Sequence, residues 1–131
     1  MSSLKLKLKL EGEKEMQAEL KRLAKAYPEA ANLAVFREAY LVFNKAQVLT
    51  PVDTNNLRGT AHVETKESPS GGTAEILYDA NYAAFVHEAP PSTKFRAPGT
   101  QSKFLEQPVN EAIPGMAKRM AEYIKNKVGV K

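Results

Sequence analysis

Pro28 and the Thr50-Pro51 pair bracket the segment that most restricts what this chain can become. Proline is at home in the first turn of a helix, where its missing N–H costs nothing. Thr50 precedes Pro51, which biases it away from helical geometry. The sequence between them predicts one helix ending near Leu49, about 22 residues or ~33 Å long. It carries two neighbouring apolar stripes. Leu33, Phe36, Tyr40 and Phe43 form one; Val35, Ala39, Val42, Ala46 and Leu49 form the other. So wide an apolar surface must meet a sheet and something besides, either another helix or a neighbouring subunit.

The rest of the chain is arranged around this rod. Leu4 to Leu10 alternates leucine with lysine, the period-two pattern of a half-buried strand. Lys5, Lys7 and Lys9 share its outer face. They are candidates for facing phosphate, although edge strands commonly carry solvated lysines that block wrong pairing. Glu11-Gly12 ends the strand. Met16, Leu20, Leu23 and Tyr27 then recur at helical spacing, acidic early and basic late, as the helix macrodipole prefers. After Pro51, Leu57, Gly59, Ala61 and Val63 alternate with polar residues and predict a strand. Ala74, Ile76 and Tyr78 predict its hairpin partner across the loop 67–72. Tyr82, Ala83, Phe85 and Val86 form an apolar patch, read as a helical turn or a short strand. The proline-rich segment 90–102 is expected to be an exposed loop. A last amphipathic pattern from Phe104 to Ile124 predicts a C-terminal helix, with Pro108 in its first turn and Pro114-Gly115 kinking or dividing it. The expected fold is one α+β domain over 1–131: a small antiparallel sheet, made of the N-terminal strand plus a hairpin, packed against long α-helices.

Composition narrows the chemistry. The chain of 131 residues has no cysteine, so disulfides, thiolate nucleophiles and cysteine-ligated zinc are excluded. No apolar run approaches the ~20 residues that span a bilayer, so no membrane partner is expected. The N-terminus lacks the apolar core of a secretory signal. Net charge is +4, distributed as +3 over 1–50, −2 over 51–100 and +3 over 101–131. With a pI near 9.3, this is compatible with nucleic acid nearby and is not a strong electrostatic footprint.

Catalytic signals are sparse. His62 and His87 are the only histidines. Neighbours such as His87 and Glu88 diverge by about 100° on a helix or point to opposite faces of a strand, so they are not expected to act as an acid–base pair. Both histidines are expected to be ordinary and partly exposed. No Gly-x-Ser-x-Gly elbow surrounds Ser92 or Ser102, and no phosphate-binding loop or His-x-x-x-His spacing occurs. The residues alone predict a non-enzymatic domain without cofactors.

Three blocks carry a resemblance. Thr50-Pro51-Val52-Asp53-Thr54-Asn55-Asn56-Leu57-Arg58-Gly59-Thr60 resembles the T-P-V-D-T-G-x-L-R-x-S segment of the HK97 gp10-like family of tailed-bacteriophage neck, tail-completion or minor capsid proteins. Asn81 to Glu88 is similar to that family's Y-A-x-Y-V-E-x-G-T. Gln101 to Ala112 is similar to its x-x-F-L-x-P-A-x segment before a final helix. Order and spacing agree from about Phe36 onward. Asn55 stands where the family usually has glycine, and asparagine tolerates positive φ. Ala89-Pro90-Pro91 replaces an expected Gly-Thr, with Gly99-Thr100 coming later.

The resemblance implies a structural role in the virion neck or head–tail interface, as a connector-ring or tail-completion subunit assembled in the host bacterial cytoplasm. It implies a homo-oligomeric ring, hexameric or twelve-fold, touching other neck, portal-adaptor or tail proteins and, non-specifically, packaged DNA. Thr50, Pro51, Asp53, Thr54, Leu57 and Arg58 are then expected to form a structural turn, Arg58 bracing it by pairing with Asp53. Phe36, Tyr40, Phe43, Tyr82, Phe85, His87, Phe95, Arg96 and Phe104 are the candidate subunit-interface residues. The alternative is a small basic nucleic-acid-binding accessory protein. A hydrolase built on His87 and Glu88 ranks last.

Overall fold

The computed structural model describes residues 4–9, 14–51, 57–69, 71–95 and 99–129. Along the chain these form β1 (Leu4–Lys9), α1 (Lys14–Ala26), α2 (Pro28–Leu49), a 3-10 turn (Leu57–Thr60), β2 (Ala61–Lys66), β3 (Thr73–Tyr78), α3 (Ala83–His87), α4 (Glu106–Ala112) and α5 (Met116–Val128). The fold is the small α+β arrangement expected. Its sheet has the order β1-β3-β2, antiparallel throughout. Leu6 and Val63 both lie opposite Ile76 in the ladder.

Helix α2 lies at the centre and touches all three strands as well as α1, α4 and α5. Its start and end follow the two prolines. Pro28 occupies the first turn, and Tyr27 is the single residue between α1 and α2, its N–H still bonded to Leu23 O at 2.7 Å. Its core-facing side is unusually small: Ala30, Ala31, Ala34, Val35, Ala39, Val42 and Ala46 are buried. Small side chains let the strands and helices approach its backbone closely. The inward stripe is therefore the Val35–Ala39–Val42–Ala46 one. The aromatic stripe lies along its rim, with Phe36 and Phe43 half-buried and Leu33 and Tyr40 exposed.

Two apolar clusters share α2. The first joins its N-terminal half to α1 and α5 through Leu20, Leu23, Val35, Met120 and Ile124. The second joins its C-terminal half to the sheet and the segment before α4, through Val42, Leu57, Ile76, Tyr78, Phe104 and Leu105. Each large apolar side chain buried this way contributes about 1.5–3 kcal/mol.

Local chemistry decides several boundaries. The strand expected from Leu57 begins only at Ala61. Leu57 turns into the core, and Thr60 Oγ1 donates to Leu57 O at 2.9 Å, closing a 3-10 turn. Its backbone is thereby committed before the ladder starts at Ala61 opposite Tyr78. The patch from Tyr82 resolves as helix α3. The last helical pattern is divided at Pro114-Gly115, Gly115 adopting φ 80°, a left-handed conformation that suits glycine. Arg119 closes the break. It donates to Ala112 O at 2.6 Å and Pro114 O at 3.1 Å, and pairs with the 3% exposed Glu38 of α2 at 2.8 Å.

The hairpin loop is clamped to α2 in turn. Buried Asn32 donates to Ser68 O at 3.2 Å and accepts from Ser68 N–H at 3.1 Å. Gly72 passes so close that a methyl there would meet Lys66 O at 2.8 Å and the Asn32 side chain.

Candidate functional site

The three segments that carry the resemblance, far apart in sequence, meet at the C-terminal end of α2. The first is the turn after Leu49. Helix α2 has no basic residue in its last turn, so its C-terminal carbonyls need a cation from elsewhere. Arg58 supplies it. Its Nε donates to Thr50 O at 2.9 Å and its Nη2 to Val48 O at 3.2 Å. The expected bracing by Arg58 is therefore made to backbone carbonyls. Asp53 and Thr54 lie outside the described residues, and with them the proposed Asp53–Arg58 pair. Thr50, Pro51 and Leu57 are buried.

Thr50 then links this turn to the sheet. Its hydroxyl donates to Ala46 O at 2.6 Å and lies 2.9 Å from Tyr78 Oη, which also donates to Gln47 Oε1 at 3.0 Å. Gln47 Nε2 donates onward to Arg58 O at 3.2 Å. Burial pushes the Tyr78 phenol pKa up, opposed by the Thr50 hydrogen bond. The ring of Tyr78 meets Phe104 edge-on at 5.0 Å, and Phe104 meets the imidazole of His87 edge-on at 5.0 Å. Phe104 is thus the shared hub of the second cluster.

The second and third segments close around that hub. Gln101 N–H donates to Leu49 O at 2.9 Å, and Lys103 N–H donates to His87 O at 2.8 Å. Lys103 has φ 55°, an uncommon conformation for a residue with a Cβ. It is held there by its N–H and by an ammonium group set between Glu88 and Glu106. The Lys103 and His87 hydrogen bonds hold the Glu88 carboxyl below the usual range, and Glu88 in turn raises Lys103.

The expected exposure of His87 is corrected here. It is buried, and its Nδ1 lies 3.0 Å from Oε1 of its neighbour Glu88. Glu88 lies just past the end of α3, with φ −91° and ψ 6°. There its side chain folds back toward the ring and does not continue the helical progression. Nε2 accepts the Glu106 backbone N–H at the start of α4, 3.1 Å away. The imidazole therefore serves as a bracket between α3 and α4, with both nitrogens engaged. His62 is partly exposed as expected, bonded to Glu64 at 3.2 Å, and that bond raises its pKa.

The candidate interface residues divide by burial. Phe104 and His87 are interior, so they organise the junction and are not surface anchors. Phe36, Phe43, Tyr82 and Phe95 are half-buried, Tyr40 and Phe85 are exposed, and Arg96 lies outside the described residues. Of the candidate phosphate-facing lysines, Lys5 forms an ion pair with Glu75 of β3 at 3.0 Å; the side chains of Lys7 and Lys9 are outside the described set.

Sequence reasoning missed Asn32, Glu38 and Arg119. A polar residue set among alanines on the inward face of α2 was the available signal for the first two. Among the described residues no group of acidic and histidine side chains is placed to hold a metal, and no helix is long and apolar enough to cross a membrane. Comparison with protein-family models, curated proteins and solved structures finds no match to this chain.

Proposed function

We propose that this chain is a non-enzymatic structural subunit of the bacteriophage neck or head–tail interface, a tail-completion or connector-ring protein. The observation that supports this reading is the convergence of the three resembling segments on Phe104. The 101–106 approach to α4 bonds the last residue of α2 through Gln101–Leu49 and α3 through Lys103–His87 and Glu106–His87, while Thr50 of the turn reaches Phe104 through Tyr78. Residues that must pack together form a structural unit, which gives their joint occurrence a physical reason. The chemistry of the cluster suits a scaffold, since its histidine, arginine and tyrosine are all engaged in holding elements together.

In this reading the protein works as a homo-oligomeric ring, hexameric or twelve-fold, against neck, portal-adaptor or tail neighbours. A closed ring needs two different surfaces of each subunit to meet. Exposed Phe85 on α3 and Ile113 at the α4–α5 break are the apolar groups offered near the junction.

The test is quantitative mass spectrometry of purified virions from the phage encoding the chain. A low, ring-like copy number per particle is expected. Hundreds of copies would place the protein in the shell, and absence from the particle would overturn the virion role in favour of the nucleic-acid-binding alternative. DNA affinity falling steeply with salt would then be the diagnostic.

A further inference from the structure

Of the two histidines, His62 faces hydrogen-bond acceptors with both ring nitrogens. Its Nδ1 lies 3.3 Å from Thr60 O and 3.4 Å from Asp79 Oδ2, and its Nε2 lies 3.2 Å from Glu64 Oε1. His87 differs, since its Nε2 faces a donor, the Glu106 N–H. A neutral imidazole carries one N–H and one lone pair, and only the imidazolium donates from both nitrogens. In a neutral His62 ring the lone pair would point at an oxygen, so its partners match the charged form.

The group lies on the outer face of the sheet. Val63 packs into the apolar clusters against α2, so its neighbours His62 and Glu64 point the other way. The cations nearby have other positions or partners. Lys5 of β1 shares the row of His62, both standing opposite Leu77, but its ammonium pairs with Glu75 at 3.0 Å. Lys7 stands opposite Glu75, which stands opposite Glu64, and Lys66 stands opposite Thr73 at the far end of β2. Arg58 of the 3-10 turn is committed to the carbonyls of Thr50 and Val48. Among the described residues, His62 is the cationic partner of both Glu64 and Asp79.

The three acceptors belong to three stretches of chain. Thr60 ends the 3-10 turn, Glu64 lies within β2, and Asp79 follows β3 and opens the 79–82 turn into α3. Two further bonds reach that turn. Asp79 N–H donates to Thr60 O at 3.4 Å and Ala80 N–H to Thr60 Oγ1 at 3.2 Å; the first is long for a hydrogen bond.

We infer that His62 is a proton-operated latch: the imidazolium clamps Asp79 to the start of β2, and loss of its proton loosens the 79–82 turn from the sheet. Deprotonation leaves one N–H for three oxygens and removes the charge that holds both carboxylates. The Glu64 bond first, then Thr60 O and the Asp79 charge, hold the His62 pKa above its ordinary value of 6.5 against the effect of burial, the direction this geometry requires. By linkage the latch is closed below pH 6.5 and opens as pH rises through the raised folded value. The turn leads into α3 and the exposed Phe85, so the proton acts on the segment between the sheet and that surface. The latch does not rest on the virion role.

Nuclear magnetic resonance titration of the full chain tests it. The two histidines give separate imidazole signals, which His62→Gln assigns. The His62 midpoint is expected above the ordinary value, and Glu64→Gln and Asp79→Asn are each expected to lower it. Amide protection at Ala80, corrected for the intrinsic pH dependence of exchange, is expected to fall several-fold between about pH 6 and about pH 8, the range in which histidine titrates. Each pH unit by which the midpoint in the closed turn exceeds that in the opened turn corresponds to about ten-fold in protection. In His62→Gln the Ala80 protection is expected to stay constant. Ser68, whose N–H is held by the amide oxygen of Asn32, serves as the control and is expected to show no change in either protein. An ordinary or lowered His62 midpoint, a midpoint unmoved by Asp79→Asn, Ala80 protection independent of pH in the parent, or an equal fall in His62→Gln would each overturn the inference.

Discussion

Glu88 shows how one exposed carboxylate holds two parts of the junction at once. It accepts from His87 at the end of α3 and from Lys103 before α4. These bonds hold its folded pKa below that of the unfolded chain, Lys103 contributing most. The sign follows from linkage. The stabilisation is present above the unfolded carboxylate pKa, near 4.5, and is lost as pH falls through the lower folded value. Lys103 is raised by the same contact, so its share is lost only at the alkaline end, as pH rises through its folded pKa. Between pH 5 and 8 neither group changes charge. The melting temperature is therefore expected to fall between pH 5 and pH 3, and Glu88→Gln should flatten that acid limb relative to the parent. An acid limb identical in the two proteins would mean that the Glu88 contacts contribute nothing to folding.

At the scale of elements, Arg58 matters because α2 ends without a cation of its own. A residue eight positions beyond Thr50 supplies the C-terminal partner, binding Thr50 O and Val48 O. The guanidinium fork spans two carbonyls, which an ammonium group reaches less well. Arg58→Ala is expected to cost about 1.5–3 kcal/mol, the range for hydrogen bonds to a charged group, with Arg58→Lys retaining part of it. Urea unfolding measures both; an alanine variant as stable as the parent would show that the turn holds without its brace. The bond from Gln47 to Arg58 O and the Tyr78–Thr50 contact then carry the loss into β3.

At the scale of the whole molecule, α2 is the common wall of two apolar clusters. One contains Ile124 and the other Ile76, both completely buried. The Glu38–Arg119 pair ties α2 to α5, and Asn32 ties it to the hairpin loop. Neither cluster can lose α2 without exposing the other. The chain is therefore expected to unfold in a single transition. Ile76→Ala and Ile124→Ala, each costing about 2–5 kcal/mol, should shift that same transition, with near- and far-ultraviolet circular dichroism remaining superimposable. Separate melting of the helical signal in Ile124→Ala would show instead that the two clusters are independent units.

The sequence by itself determined where most of the elements lie, because those signals are local. Pro28 and Pro51 bound α2, the leucine–lysine alternation marks β1, and Pro114-Gly115 divides the last helical pattern. Periodicity also revealed that α2 has more apolar surface than one contact needs. It left undecided which stripe faces inward, since both have the same period. The tertiary structure chose the alanine-rich stripe, whose small side chains admit the sheet and two helices, and put Tyr40 outside. It also decided what no local pattern encodes. His87 is buried because Phe104 and the start of α4 close over it. Glu38 finds Arg119 across 81 positions of sequence, and Asn32 finds Ser68 across 36. Such partners are set by which elements pack together, and that follows from the summed burial of the whole chain.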